Sequence, residues 1–169
     1  MGTDAPSRFY RSRENPHRLP RQCYRGYVTA AFHACLLGRR RAFTDPGTVA
    51  VLLGMTVDVM NRGDCAILAY CFMPDHLHLV LRGESEQADI WAAMVAMKRQ
   101  TGHWLLNNTR ARWQKGFYDV KLRTPEAVIG EVEYILLNPV RAKLVADWGE
   151  YPFSGRRPAD PTPPSTTAV

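Results

Sequence analysis

Residues 66–82 read AILAYCFMPDHLHLVLR, and this stretch decides the fold of the chain. Its first seven residues, Ala66 to Phe72, form a short continuous apolar run, which predicts a buried strand. Met73-Pro74-Asp75 then predicts a turn, because proline fixes its own φ and restricts the residue before it. From His76 to Arg82 every second residue is leucine, so we expect a strand that returns beside the first as a hairpin.

Two further elements are predicted before this hairpin. Tyr24 to Leu36 is rich in aromatic and β-branched residues, which favours a first strand. A helix follows at about Thr48 to Met60, because Thr44 or Asp45 can accept a hydrogen bond from its first turn as an N-cap. The chain therefore supplies one strand and one helix before it reaches the hairpin.

Three elements are predicted after the hairpin. Ser85 to Leu106 is long enough for a helix, and a short strand follows at Phe117 to Leu122. Thr124-Pro125-Glu126 opens the last helix with a cap, a proline and an acid in the expected order, and Pro139 ends it near Asn138. The order strand, helix, hairpin, helix, strand, helix predicts an α+β fold, with helices packed on an antiparallel sheet in the ferredoxin-like manner.

The length of 169 residues predicts one domain with a hydrophobic core, which we place at residues 21–154. Residues 1–20 are basic, carry three prolines and predict a flexible arm. Residues 155–169 contain four prolines among Thr, Ser and Ala and predict a disordered tail. No apolar run approaches the roughly 20 residues of a membrane-spanning helix, and the N-terminus lacks a signal-peptide pattern, so we expect a soluble cytoplasmic protein.

The charge of the chain is positive and unevenly placed. Lysine and arginine total 22 against 16 acidic residues, which gives a net charge of +6, and 18 of the 22 are arginine. Nine of these arginines precede residue 42. Arginine makes bidentate contacts with phosphate and stacks on bases, so the pattern favours a nucleic-acid-binding surface. A basic tail that serves only solubility would give the same charge, and charge alone leaves both interpretations open.

Two histidines of the second hairpin strand form the first candidate site. His76 and His78 share one strand face, while Leu77, Leu79 and Leu81 share the other face, which is expected to be core. Imidazoles at positions i and i+2 stand about 6–7 Å apart, since a strand rises about 3.3 Å per residue. They can therefore bind one cation between them, although two ordinary half-exposed histidines would give the same pattern.

The last helix supplies the second candidate site. Its apolar residues form one helical stripe and are Val128, Ile129, Val132, Ile135 and Leu136. At about 100° per residue, Tyr134 lies outside that stripe, and Asn138 lies one turn beyond Tyr134 on the same side. Tyr134 could also be an amphipathic aromatic that covers the sheet edge. Tyr118 shares a strand face with Val120 and Leu122, so we interpret it as a packing residue.

Four segments together resemble one known family. MPDHLHL at 73–79 is similar to the His-hydrophobic-His motif of the single-tyrosine transposases of the HUH endonuclease superfamily. YILLNPVRA at 134–142 resembles the tyrosine-helix motif of one branch, the REP-associated tyrosine transposases. KRQTG at 98–102 and WQKGFYD at 113–119 also match that branch in type and order. The resemblance covers about residues 22–154.

The resemblance implies a site and a reaction. His76, His78 and Asn138 would bind a divalent metal, Mg²⁺ or Mn²⁺, and Tyr134 would be the nucleophile. The implied reaction cleaves and rejoins single-stranded DNA at hairpins of palindromic repeats, through a 5′-phosphotyrosine link and a free 3′-hydroxyl, in the bacterial cytoplasm at the nucleoid. Many relatives carry Asn where this chain has Asp75, and a carboxylate there could orient His76 or add negative charge near the metal.

Candidate DNA contacts follow from the charge and from the matched segments. They are Arg8, Arg11, Arg13, Arg18, Arg39, Arg40, Arg41, Lys98 and Arg99. The resemblance leaves a monomer and a homodimer both open. Two other functions compete with it: a non-catalytic nucleic-acid-binding module on the same fold, and a metal-dependent hydrolase of small substrates. The first does not explain the histidines, Tyr134 and Asn138 together, and the arginine bias disfavours the second.

Overall fold

A computed structural model describes residues 19–157, so Arg8, Arg11, Arg13 and Arg18 lie outside the described residues. The described part of the chain is an α+β fold, as predicted. In chain order its elements are a 3-10 helix at Arg21–Tyr24, β1 at Thr29–Cys35, a 3-10 turn at Leu37–Arg39, α1 at Pro46–Arg62, β2 at Cys65–Met73, β3 at His76–Gly83, α2 at Ile90–Thr109, β4 at Tyr118–Leu122, α3 at Pro125–Leu136, α4 at Asn138–Arg141, a 3-10 helix at Trp148–Glu150 and β5 at Ser154–Arg156.

The five strands form one antiparallel sheet in the order β4-β1-β3-β2-β5. The predicted hairpin is confirmed, because β2 and β3 pair around the turn at Pro74 and Asp75. β3 lies at the centre of the sheet, where it pairs with β1 on one side and with β2 on the other. The first strand of the chain therefore lies directly beside the two predicted metal ligands.

The two faces of the sheet bury different side chains because successive residues of a strand point to opposite sides. One face carries the main core under α1 and α2, and its strand residues include Phe32, Leu77 and Leu79. The other face carries a smaller apolar cluster under α3, built from Ala31, Ala69, Val80, Leu122 and Ile135. His33, His76 and His78 have the same phase as this second set, so they lie on the α3 face.

The helices begin where their caps are. The Asp45 carboxylate accepts a hydrogen bond from the Thr48 amide at 2.7 Å, and the Thr124 hydroxyl accepts one from the Ala127 amide at 3.2 Å. Both predicted helix starts are confirmed. α2 begins later than the sequence indicates, because Asp89 caps it through the Ala92 amide at 2.8 Å.

Two ends of the fold differ from the prediction. The first strand begins at Thr29 rather than Tyr24, because residues 21–24 form a 3-10 helix and Gly26 has a positive φ of 77°. The sheet extends past residue 154, since Gly155 and Arg156 pair with Tyr70 and Ala69. Within the described part of the chain, no helix has both the length and the apolar character needed to cross a membrane.

Candidate metal centre

Three imidazoles from two neighbouring strands meet on the α3 face of the sheet. One ring nitrogen from each of His33, His76 and His78 lies within 4.8 Å of the other two. His33 is paired directly with His78 across β1 and β3, and their rings stack at 4.5 Å between centroids. The His76 ring packs edge-on against both, at 4.9 Å from each. The predicted pair is thus part of a three-histidine cluster.

His33 is the site residue that the sequence analysis missed. It lies in a strand whose residues alternate between the two faces, but a single histidine in such a strand carries no motif. Its role depends on the register of β1 against β3, which brings His33 opposite His78. That register joins residues 45 positions apart along the chain, so only an accurate pairing of the strands could have revealed it.

Burial keeps all three imidazoles uncharged at neutral pH. Desolvation is the main cause that lowers the pKa of His33 from 6.5 to about 3; His76 and Arg39 act in the same direction, and Asp75 opposes them. Burial also lowers the pKa of His76, against the hydrogen bond and charge of Asp75. The pKa of His78 lies well below its usual value, through burial first and then through His33 and His76. Neutral imidazole is the form that binds metal ions.

The donor set fits a divalent transition metal. Three neutral imidazole nitrogens at this spacing can converge on one ion, and imidazole is a better ligand for Mn²⁺, Co²⁺ or Zn²⁺ than for Mg²⁺, which prefers oxygen ligands. The cluster therefore supports a metal site at the predicted His76 and His78, with His33 as an additional ligand. The predicted ligand role of Asn138 stays a prediction.

The predicted tyrosine helix lies on the same face as the histidines. Tyr134 is half-buried and packs against the edge of the apolar cluster that contains Val80 and Ile135. The Arg141 guanidinium lies 3.9 Å from the centre of the Tyr134 ring, and it donates hydrogen bonds to the Tyr134 carbonyl and the Asn138 side-chain oxygen. Burial is the main cause that lowers the pKa of His78, and the charge of Arg141, at the end of α4, contributes in the same direction.

The apolar stripe of α3 packs on the sheet largely as predicted, since Val128, Val132 and Ile135 belong to or contact the smaller apolar cluster. Ile129, which the stripe places in the core, is 59% exposed, whereas Ile135 and Leu136 are buried as predicted. Tyr134 also packs against this cluster, and the side-chain nitrogen of Asn138, at the start of α4, is buried with no hydrogen-bond partner among residues 19–157. A buried amide without a partner usually indicates a ligand or an ordered water at that position.

A second tyrosine lies beside the histidines. Tyr118 of β4 is paired with His33, and its ring stacks on the His33 ring at 6.0 Å between centroids. Packing was the role predicted for Tyr118, and the observed stacking partner is a candidate metal ligand rather than the apolar core. Tyr118 is therefore a phenol close to the histidines, on the same sheet face as Tyr134.

The predicted DNA contacts within the described residues occupy different environments. Arg40 and Arg41 are exposed in the loop after β1. That loop is joined to residues 110–116 by the Leu37 amide, which donates to the Arg112 carbonyl at 2.7 Å, and by pairing of Leu36 with Trp113. The exposed side chains of Arg110, Arg112 and Lys115 therefore belong to the same end of the sheet as Arg40 and Arg41. We call these two segments, residues 37–41 and 110–116, the basic loops.

Arg39, Lys98 and Arg99 differ from one another. The Arg39 guanidinium binds the Asp75 carboxylate at 2.8 Å instead of pointing only to solvent. The Lys98 ammonium donates to the carbonyls of Gln114 and Gly116, so it holds one of the basic loops against α2. Arg99 is exposed on α2. The DNA-binding role of all three stays a prediction.

Sequence comparisons identify relatives of this chain. Residues 28–125 match a family described as IS200-like transposases. A Haemophilus influenzae protein assigned as a REP-associated tyrosine transposase is 29% identical in an alignment 97 residues long that covers 48% of this chain and 54% of that protein. The aligned region thus spans about half the length of that relative.

Solved structures share the fold. The structure of a REP-associated tyrosine transposase bound to a REP hairpin is similar with a TM-score of 0.71 at 22% identity, over 83% of this chain and 82% of that chain. A Deinococcus radiodurans R1 structure assigned as a transposase is similar with a TM-score of 0.50 at 13% identity, over 75% of this chain and 97% of that chain. At these identities the similarity establishes the fold.

Proposed function

Because this chain belongs to the IS200-like transposase family, we propose that it cleaves and rejoins single-stranded DNA at hairpins of palindromic repeats. The observation that carries the proposal is the cluster of His33, His76 and His78 on the same sheet face as the helix of Tyr134. A non-catalytic binding module has no need of three neutral imidazoles, two of them buried, on the same sheet face as a phenol. A chromosomal DNA substrate implies action in the bacterial cytoplasm, at the nucleoid.

In the proposed reaction the Tyr134 hydroxyl oxygen attacks the phosphorus of one phosphodiester. A bond forms between that oxygen and phosphorus, and the bond from phosphorus to the 3′ oxygen breaks. The phenol loses its proton to solvent and the departing 3′ oxygen takes one up, so the products are a 5′-phosphotyrosine and a free 3′-hydroxyl. Attack by a 3′-hydroxyl on the phosphotyrosine reverses these bond changes and rejoins the strand.

Other residues would support this reaction by binding the metal, positioning Tyr134 and contacting the phosphates of the DNA. His33, His76 and His78 would hold a divalent metal, which when bound polarises the phosphate oxygens and orients the phosphodiester. Arg141 packs on the Tyr134 ring and bonds the Asn138 side chain, so it fixes the position of the nucleophile at the end of α3. The exposed arginines of the basic loops would bind the phosphates of the strand outside the site.

Covalent capture tests the proposal. A single-stranded hairpin oligonucleotide labelled at either end is incubated with the protein and Mn²⁺ and analysed by denaturing electrophoresis. We expect the strand on the 3′ side of the cut to remain attached to the protein through its 5′ phosphate. Tyr134→Phe should abolish this attachment and leave hairpin binding within a few-fold of the wild type, because the ring and its contact with Arg141 persist.

Tyr118→Phe is the matched control, since it removes the phenol whose ring stacks on His33. It should retain the covalent product. Full attachment in Tyr134→Phe together with its loss in Tyr118→Phe would assign the nucleophile to β4 and overturn the role of Tyr134.

A further inference from the structure

Asp75 and Arg39 form a continuous chain of contacts that ends on one of the clustered imidazoles. The Asp75 carboxylate binds His76 Nδ1 at 2.6 Å through one oxygen and Arg39 Nε at 2.8 Å through the other. Arg39 also donates to the Cys35 sulfur at 3.1 Å. Asp75 and His76 are largely shielded, with side-chain exposures of 18% and 15%, so water competes little with their hydrogen bond.

The backbone around this chain of contacts is held in place from two sides. The Leu36 amide donates to the Asp75 carbonyl at 2.9 Å, and the Phe43 amide donates to the Pro74 carbonyl at 3.0 Å. Arg39 itself has a φ of 54°, a conformation that side-chain-bearing residues seldom adopt. Such a conformation persists where the surrounding contacts fix it. These backbone hydrogen bonds and the Arg39–Asp75 ion pair therefore join the loop after β1 to the turn between β2 and β3, next to His76.

We infer that Arg39 and Asp75 are positioning residues that fix the ring orientation and tautomer of His76, rather than contacts for DNA. A carboxylate on Nδ1 selects the tautomer with the proton on that nitrogen, and it leaves the lone pair of Nε2 free to face His33 and His78. Arg39 keeps the carboxylate aimed at His76, because its Nε–H occupies the second oxygen. The inference rests on the proposed metal site, and it reassigns Arg39 from the predicted DNA-binding set.

Cobalt binding by the metal-free full-length chain tests this inference without DNA. Visible absorption reports both the affinity for Co²⁺ and the geometry of its ligands. Asp75→Ala should weaken Co²⁺ binding by about 10–100-fold, the usual effect of removing a partner of a ligating histidine. Arg39→Gln should weaken it less, and adding Arg39→Gln to Asp75→Ala should weaken it no further, because Arg39 acts through Asp75.

Arg40→Gln is the contrast, because Arg40 is exposed like Arg39 but its side chain is not a member of this chain of contacts. Arg40→Gln should leave Co²⁺ affinity unchanged and weaken hairpin binding measured in EDTA. Arg39→Gln should weaken Co²⁺ binding and leave hairpin binding in EDTA unchanged. Wild-type Co²⁺ affinity in Arg39→Gln, with weakened hairpin binding in EDTA, would overturn the inference and return Arg39 to the DNA-binding surface.

The tautomer can be measured with no metal present. Long-range ¹H–¹⁵N spectra at pH 8 should show His76 with its proton on Nδ1 in the wild type and in Asp75→Asn, whose amide oxygen can still accept that hydrogen. Asp75→Ala should show a mixture of the two tautomers. A proton on Nε2 in the wild type would overturn the inference. Failure of covalent DNA capture alone would contradict the proposed reaction and leave this result standing.

Discussion

His33 contributes the third imidazole of the cluster, and its removal tests whether the cluster binds a metal as a unit. His33→Ala should weaken Mn²⁺ binding by at least about tenfold, which corresponds to about 1.4 kcal/mol of binding free energy. Isothermal titration calorimetry of the metal-free protein measures this change. His103→Ala is the control, because His103 is exposed on α2 and is not a member of the three-histidine cluster. Equal Mn²⁺ affinity in His33→Ala and the wild type would reduce the site to the two predicted histidines.

The same three imidazoles predict how the stability of the metal-free protein depends on pH. Their pKa values are lowered in the folded chain, so the unfolded chain binds protons first as the pH falls below 6.5. The free energy of unfolding should therefore be intact above pH 6.5 and decline from there toward pH 3, the folded value of His33. Melting temperatures in EDTA at several pH values measure this decline.

A variant separates the histidines from the carboxyl groups that also titrate in acid. His33→Gln removes the imidazole whose pKa falls to about 3, so its melting temperature should fall less steeply between pH 6.5 and 5 than that of the wild type. If the melting temperatures of the two proteins fell equally steeply with pH, His33 would make no contribution to the pH dependence of stability, which would contradict its lowered pKa.

Helix α2 and the basic loop at 110–116 are joined by the residues of two matched segments. The Trp113 indole donates to the Thr101 hydroxyl at 3.0 Å, and that hydroxyl donates to the Met97 carbonyl at 2.7 Å. A Cβ at Gly102 would lie 3.2 Å from the Trp113 ring, so the helix is closely packed there. Lys98 binds two carbonyls of the same loop. These segments therefore position the loop, which explains them without any direct contact with DNA.

Thr101→Val tests this joint between helix and loop. The substitution leaves the indole nitrogen of Trp113 without its acceptor, which should destabilise the fold by about 1–3 kcal/mol in chemical denaturation. Thr56→Val is the matched control, since Thr56 is equally buried but its hydroxyl donates to the Leu52 carbonyl of its own helix rather than joining two elements. Equal destabilisation in both variants would mean that the bond to Trp113 contributes nothing.

The main hydrophobic core and the proposed site lie on opposite faces of the sheet. Its α1–α2 face carries the main core, and its α3 face carries the histidines, Tyr118 and Tyr134, so most of the apolar burial lies on the side away from the proposed reaction. The basic loops and the cluster lie at the end of the sheet where β3 begins. This separation allows substitutions in the proposed site to change activity without loss of the fold.

The arginines of residues 1–18 lie outside the described residues, and their role is tested on the whole protein. Deletion of 1–18 should weaken hairpin binding and flatten the slope of log affinity against log salt by about 0.7–0.9 for each phosphate that these arginines bind. Fluorescence anisotropy at several salt concentrations measures the slope. The covalent reaction at saturating hairpin should persist, because the cluster and Tyr134 remain. Unchanged affinity and slope would show that the segment serves solubility alone.

Local pattern in the sequence was sufficient to predict the α+β fold, the hairpin, the caps at Asp45 and Thr124, and the shared face of His76 and His78. Each of these depends on residues close together in the chain, where turn chemistry and strand alternation decide the outcome. The stripe of α3 was partly wrong, because tertiary packing against Ala31, Ala69 and Val80 determines which side of a helix is buried.

Only the tertiary structure revealed His33, the pairing of Arg39 with Asp75 and the position of Tyr118. His33 and Tyr118 reach the site through the register of β1 against its two neighbours, and Arg39 reaches it through a loop that crosses the β2–β3 turn. Their local sequences carry no motif for these contacts. A candidate metal site whose histidines lie on two strands depends on long-range hydrogen bonding between those strands, so its position is fixed only when the sheet assembles.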